Sequence, residues 1–267
     1  MNDQDYFYDS RRPAMINPAD LVSPVPGFPQ LCISTFSRAI VEKAAAVDGV
    51  QIISHIYTAN GTTPVYCMSY CGHNIAFYLS PVGAPACAAG FEEVIAMGAT
   101  TFVWFGSCGV LNRELVQDRI IIPVSAVREE GTSYHYIPAA EEIEQQQQAV
   151  AALAAALDRR QYPYVKGKVW TTDAIYRETH SQVKAKKEQG CLGVEMECAA
   201  MLAVSQFRNV KFAQFLYTAD SLDHGTWAIR DLADHGISQA DRYLQIACES
   251  AILLYEEGSG EGDGEKR

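Results

Sequence analysis

The chain is 267 residues long and 48% hydrophobic, and its 32 acidic against 21 basic side chains give a net charge of -11. That length and apolar content suit a single large α/β domain with an ample core, and so acidic a surface repels phosphate backbones, which argues against nucleic acid as a partner. No apolar run approaches the roughly 20 residues that span a bilayer, and the opening MNDQDYFYDSRRP lacks the apolar stretch of a secretory signal.

Residues 1–30 contain five prolines and little periodicity, and are expected to form an N-terminal arm that lies on another surface. Residues 31–255 show no break in composition and read as one domain. Residues 256–267, rich in glycine and charge, read as a flexible acidic tail. Short apolar runs predict strands at 31–33, 65–70, 101–105, 119–123 and 212–217. A helix is predicted over 86–97, entered at Pro85 and stopped by Gly98. Another is expected over about 140–157, carrying the glutamines 145–148, and an alanine-rich one over 196–207. The last helix, over 238–255, has Ser238 and Asp241 spaced as a capping box. This alternation implies a single α/β domain with a central mixed, twisted sheet flanked by helices. Ligands in such folds gather at the loops leaving the strand ends. The eight cysteines form no CxxC pair and mostly lie in apolar stretches, so reduced buried thiols and a cytoplasmic location are expected.

Three segments could carry chemistry. Gly106-Ser107-Cys108-Gly109 follows the strand TFVWF. Small residues there make a turn, or let backbone amides and the Ser107 hydroxyl hold an anion. Cys108 has no base supplied by sequence, which disfavours it as a nucleophile. In Gly193-Val194-Glu195-Met196-Glu197-Cys198, two carboxylates flank a methionine at the start of a small-residue helix. The helix dipole favours acids at that position regardless of function. Yet the flanking residues are apolar, and a buried carboxylate needs donors, which sugar hydroxyls supply. Asp220 closes FAQFLYTAD and is either a turn residue or a general acid whose pKa burial raises. His135 reads as a packed, hydrogen-bonded side chain, and His180, His224 and His235 lack metal-ligand spacing, so no metal is expected.

Together these segments resemble the nucleoside phosphorylase superfamily, which includes purine nucleoside phosphorylases, uridine phosphorylases and the methylthioadenosine/adenosylhomocysteine nucleosidases. GVEMECAA is similar to its ribose-binding signature, GSCGVL to its phosphate loop, and AVREEGTSYHYIP to a stretch of the uridine branch. TTDAIYRET resembles its base-packing segment, and TADS falls where purine-acting members carry a catalytic aspartate. The resemblance implies that Glu197, Met196 and Glu195 bind ribose and that Tyr176, Ile175 and Val194 line the base. It implies that Asp220 protonates N7 of a purine while Glu197 fixes the sugar. Arg38, Ser107 and Gly106 would hold phosphate. The expected partners are a nucleoside and inorganic phosphate as co-substrate, with no further cofactor, in a homo-oligomer.

Three departures from the family pattern stand out. The turn before Arg38 is Ser34-Thr35-Phe36-Ser37 where phosphorylases have a Gly-Asp-Pro type turn. Trp104 occupies the place of an expected phosphate arginine, and the Gln-x-Arg pair that reads uracil is missing after Tyr176. Purine is therefore the favoured base and uridine the alternative. Phosphorolysis leads, with hydrolysis or non-catalytic nucleoside binding as competing functions. Trp104 either faces the site, removing a charged phosphate partner, or fills a hydrophobic layer on the other side of its strand.

Overall fold

A computed structural model describes residues 8–10, 14–116, 119–223 and 225–257. Residues 258–267 of the expected tail, 1–7 and 11–13 of the expected arm, and His224 lie outside the described residues. Within the arm, one short helix, α1 (Pro18–Leu21), starts at Asn17, whose N–H donates to the Asp20 carboxylate at 2.8 Å.

Ten strands form one mixed sheet among the described residues. They are β1 (Leu31–Thr35), β2 (Gln51–Thr58), β3 (Gly61–Tyr70), β4 (His73–Leu79), β5 (Thr101–Val110), β6 (Ile120–Glu129), β7 (Glu142–Glu144), β8 (Tyr164–Thr172), β9 (Cys191–Glu195) and β10 (Lys211–Ser221). The order β2-β3-β4-β1-β5 makes an open wing. From β5 the sheet continues through β9, β8, β6 and β10, and β10 pairs back onto β5, closing a ring of five strands. The β1–β4, β1–β5, β5–β10, β6–β8 and β8–β9 pairs are parallel, and the others are antiparallel.

Alternation along β5 divides the core in two. Phe102, Trp104, Cys108 and Val110 face one layer, covered by α3 (Ala84–Met97) and α7 (Cys198–Arg208). Val103 and Phe105 face the other, covered by α2 (Arg38–Ala45), α5 (Gln147–Arg159) and α8 (Ala240–Glu256). Phe105 stacks on Phe215 there, with ring centroids 5.2 Å apart. The remaining helices are α4 (Arg113–Val116) and α6 (His180–Glu188). No helix among the described residues is long and apolar enough to cross a membrane.

The sheet flanked by helices is the architecture expected. Two helix assignments change. Residues 142–144 are strand β7, paired to Ser125–Val127 of β6, so α5 starts only at Gln147. The capping box expected at Ser238 does not form: its hydroxyl donates to Asp234 at 2.9 Å, Asp241 pairs with Lys43, and α8 starts at Ala240.

Candidate active site

The GVEME segment spans the end of β9 and the turn into α7. Glu195 is buried and accepts three hydrogen bonds: from the Thr171 hydroxyl at 2.5 Å, the Glu197 N–H at 2.8 Å and the Cys198 N–H at 2.7 Å. Thr171 also accepts from the Ala199 N–H at 3.0 Å. The free amides at the start of α7 are thereby satisfied, which fixes the backbone that carries Glu197. Glu197 is only 5% exposed, and one oxygen accepts from the Gly83 N–H at 2.6 Å. Burial, and then the charge of Glu195, push the Glu197 carboxyl well above the ordinary range. Burial raises Glu195 too, opposed by its three donors. The outcome is one structural carboxylate and, beside it, a second with an oxygen left for a ligand. Met196, between them, is half-buried.

The GSCG segment proves to be the end of β5 itself, extended beyond the predicted strand. A side chain on Gly109 would come within 2.7 Å of Leu222, 3.0 Å of Val194 and 3.4 Å of the Asp220 carboxylate. Glycine therefore lets three predicted segments converge. Cys108 lies close enough to Asp220 and Glu195 to feel both charges, and burial pushes its thiol far up, leaving it protonated and unreactive. The Ser107 side chain is exposed.

Asp220 sits after a bulge in β10, where the register against β5 shifts between Thr218 and Asp220. It accepts from the Trp227 indole N–H at 2.7 Å. Burial raises its pKa, while the indole and the charge of Arg230 oppose the rise. Its charge also reaches Glu178, which burial and Asp220 together push up to about 7. Of these two acids Glu178 is the one that holds a proton to near neutrality. Ile175 and Tyr176 form a 3-10 turn just before it and stand exposed, Tyr176 at 95%. Val194, by contrast, is buried against Gly109.

The expected phosphate residues show no ready-made anion cradle. Arg38 has a side chain 75% exposed and lies 4.0 Å from Glu42, one turn along α2. The face of Gly106 is covered by Phe36, whose ring would lie 2.6 Å from a β-carbon placed there. Phe36 also meets the edge of Trp104 at 6.4 Å. Trp104 is fully buried among Phe36, Tyr78, Phe91 and Phe212, so it belongs to the core layer, and it does not offer its face to a ligand.

Sequence reasoning missed Gly83, Thr171, Glu178 and Trp227. Gly83 had a local signal, a glycine before Ala-Pro at a helix start, and its φ of 97° is one that few other residues adopt. Thr171 and Glu178 lie inside TTDAIYRET, but nothing local singles them out there, and with Trp227 they reach their partners across the fold.

A family model described as the phosphorylase superfamily matches residues 32–251. A uridine phosphorylase from Treponema pallidum is 25% identical over 73% of this chain and 78% of its own length. A DeoD-type purine nucleoside phosphorylase from Roseobacter denitrificans is 25% identical over 67% of this chain and 76% of its own. Among solved structures, an AMP nucleosidase from Bacteroides thetaiotaomicron superposes with a TM-score of 0.71 at 18% identity, covering 88% of this chain and 92% of that one.

Proposed function

The chain belongs to the phosphorylase superfamily, and from that premise we propose that it cleaves the N-glycosidic bond of a purine nucleoside with phosphate as acceptor, giving free base and ribose 1-phosphate. The observation that carries this is Glu197: a buried carboxylate that accepts from the Gly83 N–H, on a backbone whose own N–H donates to Glu195, with capacity left for sugar hydroxyls. As the bond breaks, its electron pair moves to the base and positive charge grows on the ribose. Beside the ribose, the Glu195–Glu197 pair stabilises that cation in its ionised form, which the growing positive charge favours over the protonated form that burial promotes. Met196 packs on the sugar. The departing purine takes a proton on N7 from the acid pair Asp220 and Glu178, a transfer that contributes typically ~10²–10⁴-fold. Val194 walls the base, with Ile175 and Tyr176 at the rim. Phosphate oxygen attacks C1′, held by Ser107 and Gly106 near the end of β5, and by Arg38 once it turns from Glu42. No cofactor is needed for these steps.

Residues 31–255 are the catalytic domain, whose last helix runs one residue further to Glu256, and residues 1–30 precede it as the arm. The protein works as a homo-oligomer, which the exposed Met15, Ile16 and Leu21 of the arm support.

Hydrolysis is the second reading, and one observation favours it. Phe36 and Trp104 put an apolar wall over Gly106 where an anion would need donors. Base release from purine nucleosides and uridine, followed by chromatography with and without phosphate, tests both. Release that requires phosphate supports phosphorolysis, and release at the same rate without it supports the nucleosidase. Release from uridine alone would overturn the purine assignment.

The acid pair has a pH signature. A general acid works only while protonated, so kcat/KM is expected to fall as pH rises past about 7, where Glu178 loses its proton. In Glu178→Gln the remaining acid is Asp220, and the alkaline limb moves to lower pH. A pH–rate profile identical in the variant would remove Glu178 from the proton path.

A further inference from the structure

A cleft of about 550 Å³ opens between the end of β10, the loop leading to α8 and the start of β6. Its size falls within the usual range for small-molecule sites. Arg119, Arg230 and Arg242 line it together with Thr218, Ser238 and Gln239. On a chain with 32 acids and 21 bases, arginines normally find carboxylates: Arg160 pairs with Glu249, and Arg208 with Glu92. Among the described residues none of the three cleft arginines has such a partner. Arg119 donates to the Leu115 carbonyl at 3.3 Å, and Arg242 lies 6.0 Å over the Tyr162 ring.

Two carboxylates also line the cleft, Asp231 and Asp234. Asp234 is engaged, accepting from the N–H and hydroxyl of Ser238 at 3.2 and 2.9 Å. Three guanidiniums thus face two carboxylates, one of them already hydrogen-bonded to Ser238, which leaves an excess of positive charge. The start of α8, a 17-residue helix, adds to the positive potential, because its N-cap Gln239 provides no side-chain cap. Arg230 is held in the left-handed region at φ 41°, a conformation that costs about 1–3 kcal/mol and concentrates at functional sites.

The cleft adjoins the Asp220 side of the candidate active site, where the charge of Arg230 is felt, but lies on the other core layer from Glu197. Tyr217 and Tyr243, which form its floor, belong to the α8 core layer, whereas Cys198, next to Glu197, belongs to the α7 layer. We propose that this cleft is a second binding site, for a small molecule bearing a phosphate or diphosphate group. Guanidiniums bind such groups bidentately, which neither lysines nor a lone helix terminus can do. The proposal stands whether or not the chain cleaves nucleosides, because its test reads binding alone.

The experiment is calorimetric titration of the full chain with inorganic pyrophosphate. The expected result is one saturable site that weakens roughly tenfold or more in Arg119→Ala/Arg242→Ala. Both side chains are at the surface, so the melting temperature should hold. Asp231→Asn, which removes the competing carboxylate, should tighten binding several-fold. Ser107→Ala should leave it unchanged. A parallel titration with ADP distinguishes the source of the phosphate: tighter binding than pyrophosphate identifies a nucleotide, weaker binding a free diphosphate. No saturable pyrophosphate binding, binding indifferent to the arginine pair, or binding lost in Ser107→Ala would overturn the proposal.

Discussion

Glu197→Gln is expected to keep the fold and lose turnover by about 10–150-fold, the equivalent of about 1.5–3 kcal/mol of charge-assisted hydrogen bonding. The amide oxygen can still accept from Gly83 N–H, but the amide nitrogen then faces the sugar as a donor where the hydroxyls need an acceptor. Stability should move the other way. Burial raises the pKa of Glu197 in the folded protein. Its contribution to stability is therefore complete below the ordinary carboxylate range and lost progressively as pH rises toward the raised value. Glutamine cannot ionise, so the variant should melt at or above wild type, by a margin that grows with pH. Steady-state kinetics and melting curves at several pH values check both halves. A wild-type rate in a well-folded variant would remove Glu197 from the ribose site.

Trp104→Arg should cost about 3–5 kcal/mol, the penalty of an uncompensated buried charge, or roughly 6–20 °C in melting temperature for a domain of this size. Trp104 is 0% exposed and ringed by Phe36, Tyr78, Phe91 and Phe212. Its in-register neighbours across the sheet are Ser34 and Gln214, neither of which can neutralise a guanidinium. The family resemblance implies an arginine's role at this position, and facing the site it would have made Trp104→Arg a gain of phosphate affinity. The alternation of β5 decides otherwise, sending Trp104 into the same layer as Phe102. A variant with unchanged melting temperature and tighter phosphate binding would reverse this placement.

The sheet-and-helix architecture was legible because apolar runs and glycine stops mark most central elements, as at 101–105 and Gly98. The strands that went unseen are β2, β4, β7, β8 and β9. β2 is largely exposed, with polar residues at Gln51, Ser54 and His55. β7 is a three-residue edge whose alternation, Glu-Ile-Glu, also fits a helix start. Of the candidate site, the carboxylates and glycines were readable because burial of an acid beside small residues is unusual in sequence. Their division of labour was not. Glu195 and Glu197 look equivalent in VEMEC, and only Thr171, 24 residues away, makes one the anchor and leaves the other for a ligand. Glu178 gains its importance from burial and then from the charge of Asp220, both of which arise only in the folded chain.

Free base released from a purine ribonucleoside, quantified by chromatography after incubation with phosphate and the full chain, is the decisive measurement for glycosidic-bond cleavage by this protein. One equivalent of base and one of ribose 1-phosphate are expected per nucleoside consumed, with release slowed in Glu197→Gln. Nucleoside recovered intact after prolonged incubation with folded protein would contradict that cleavage.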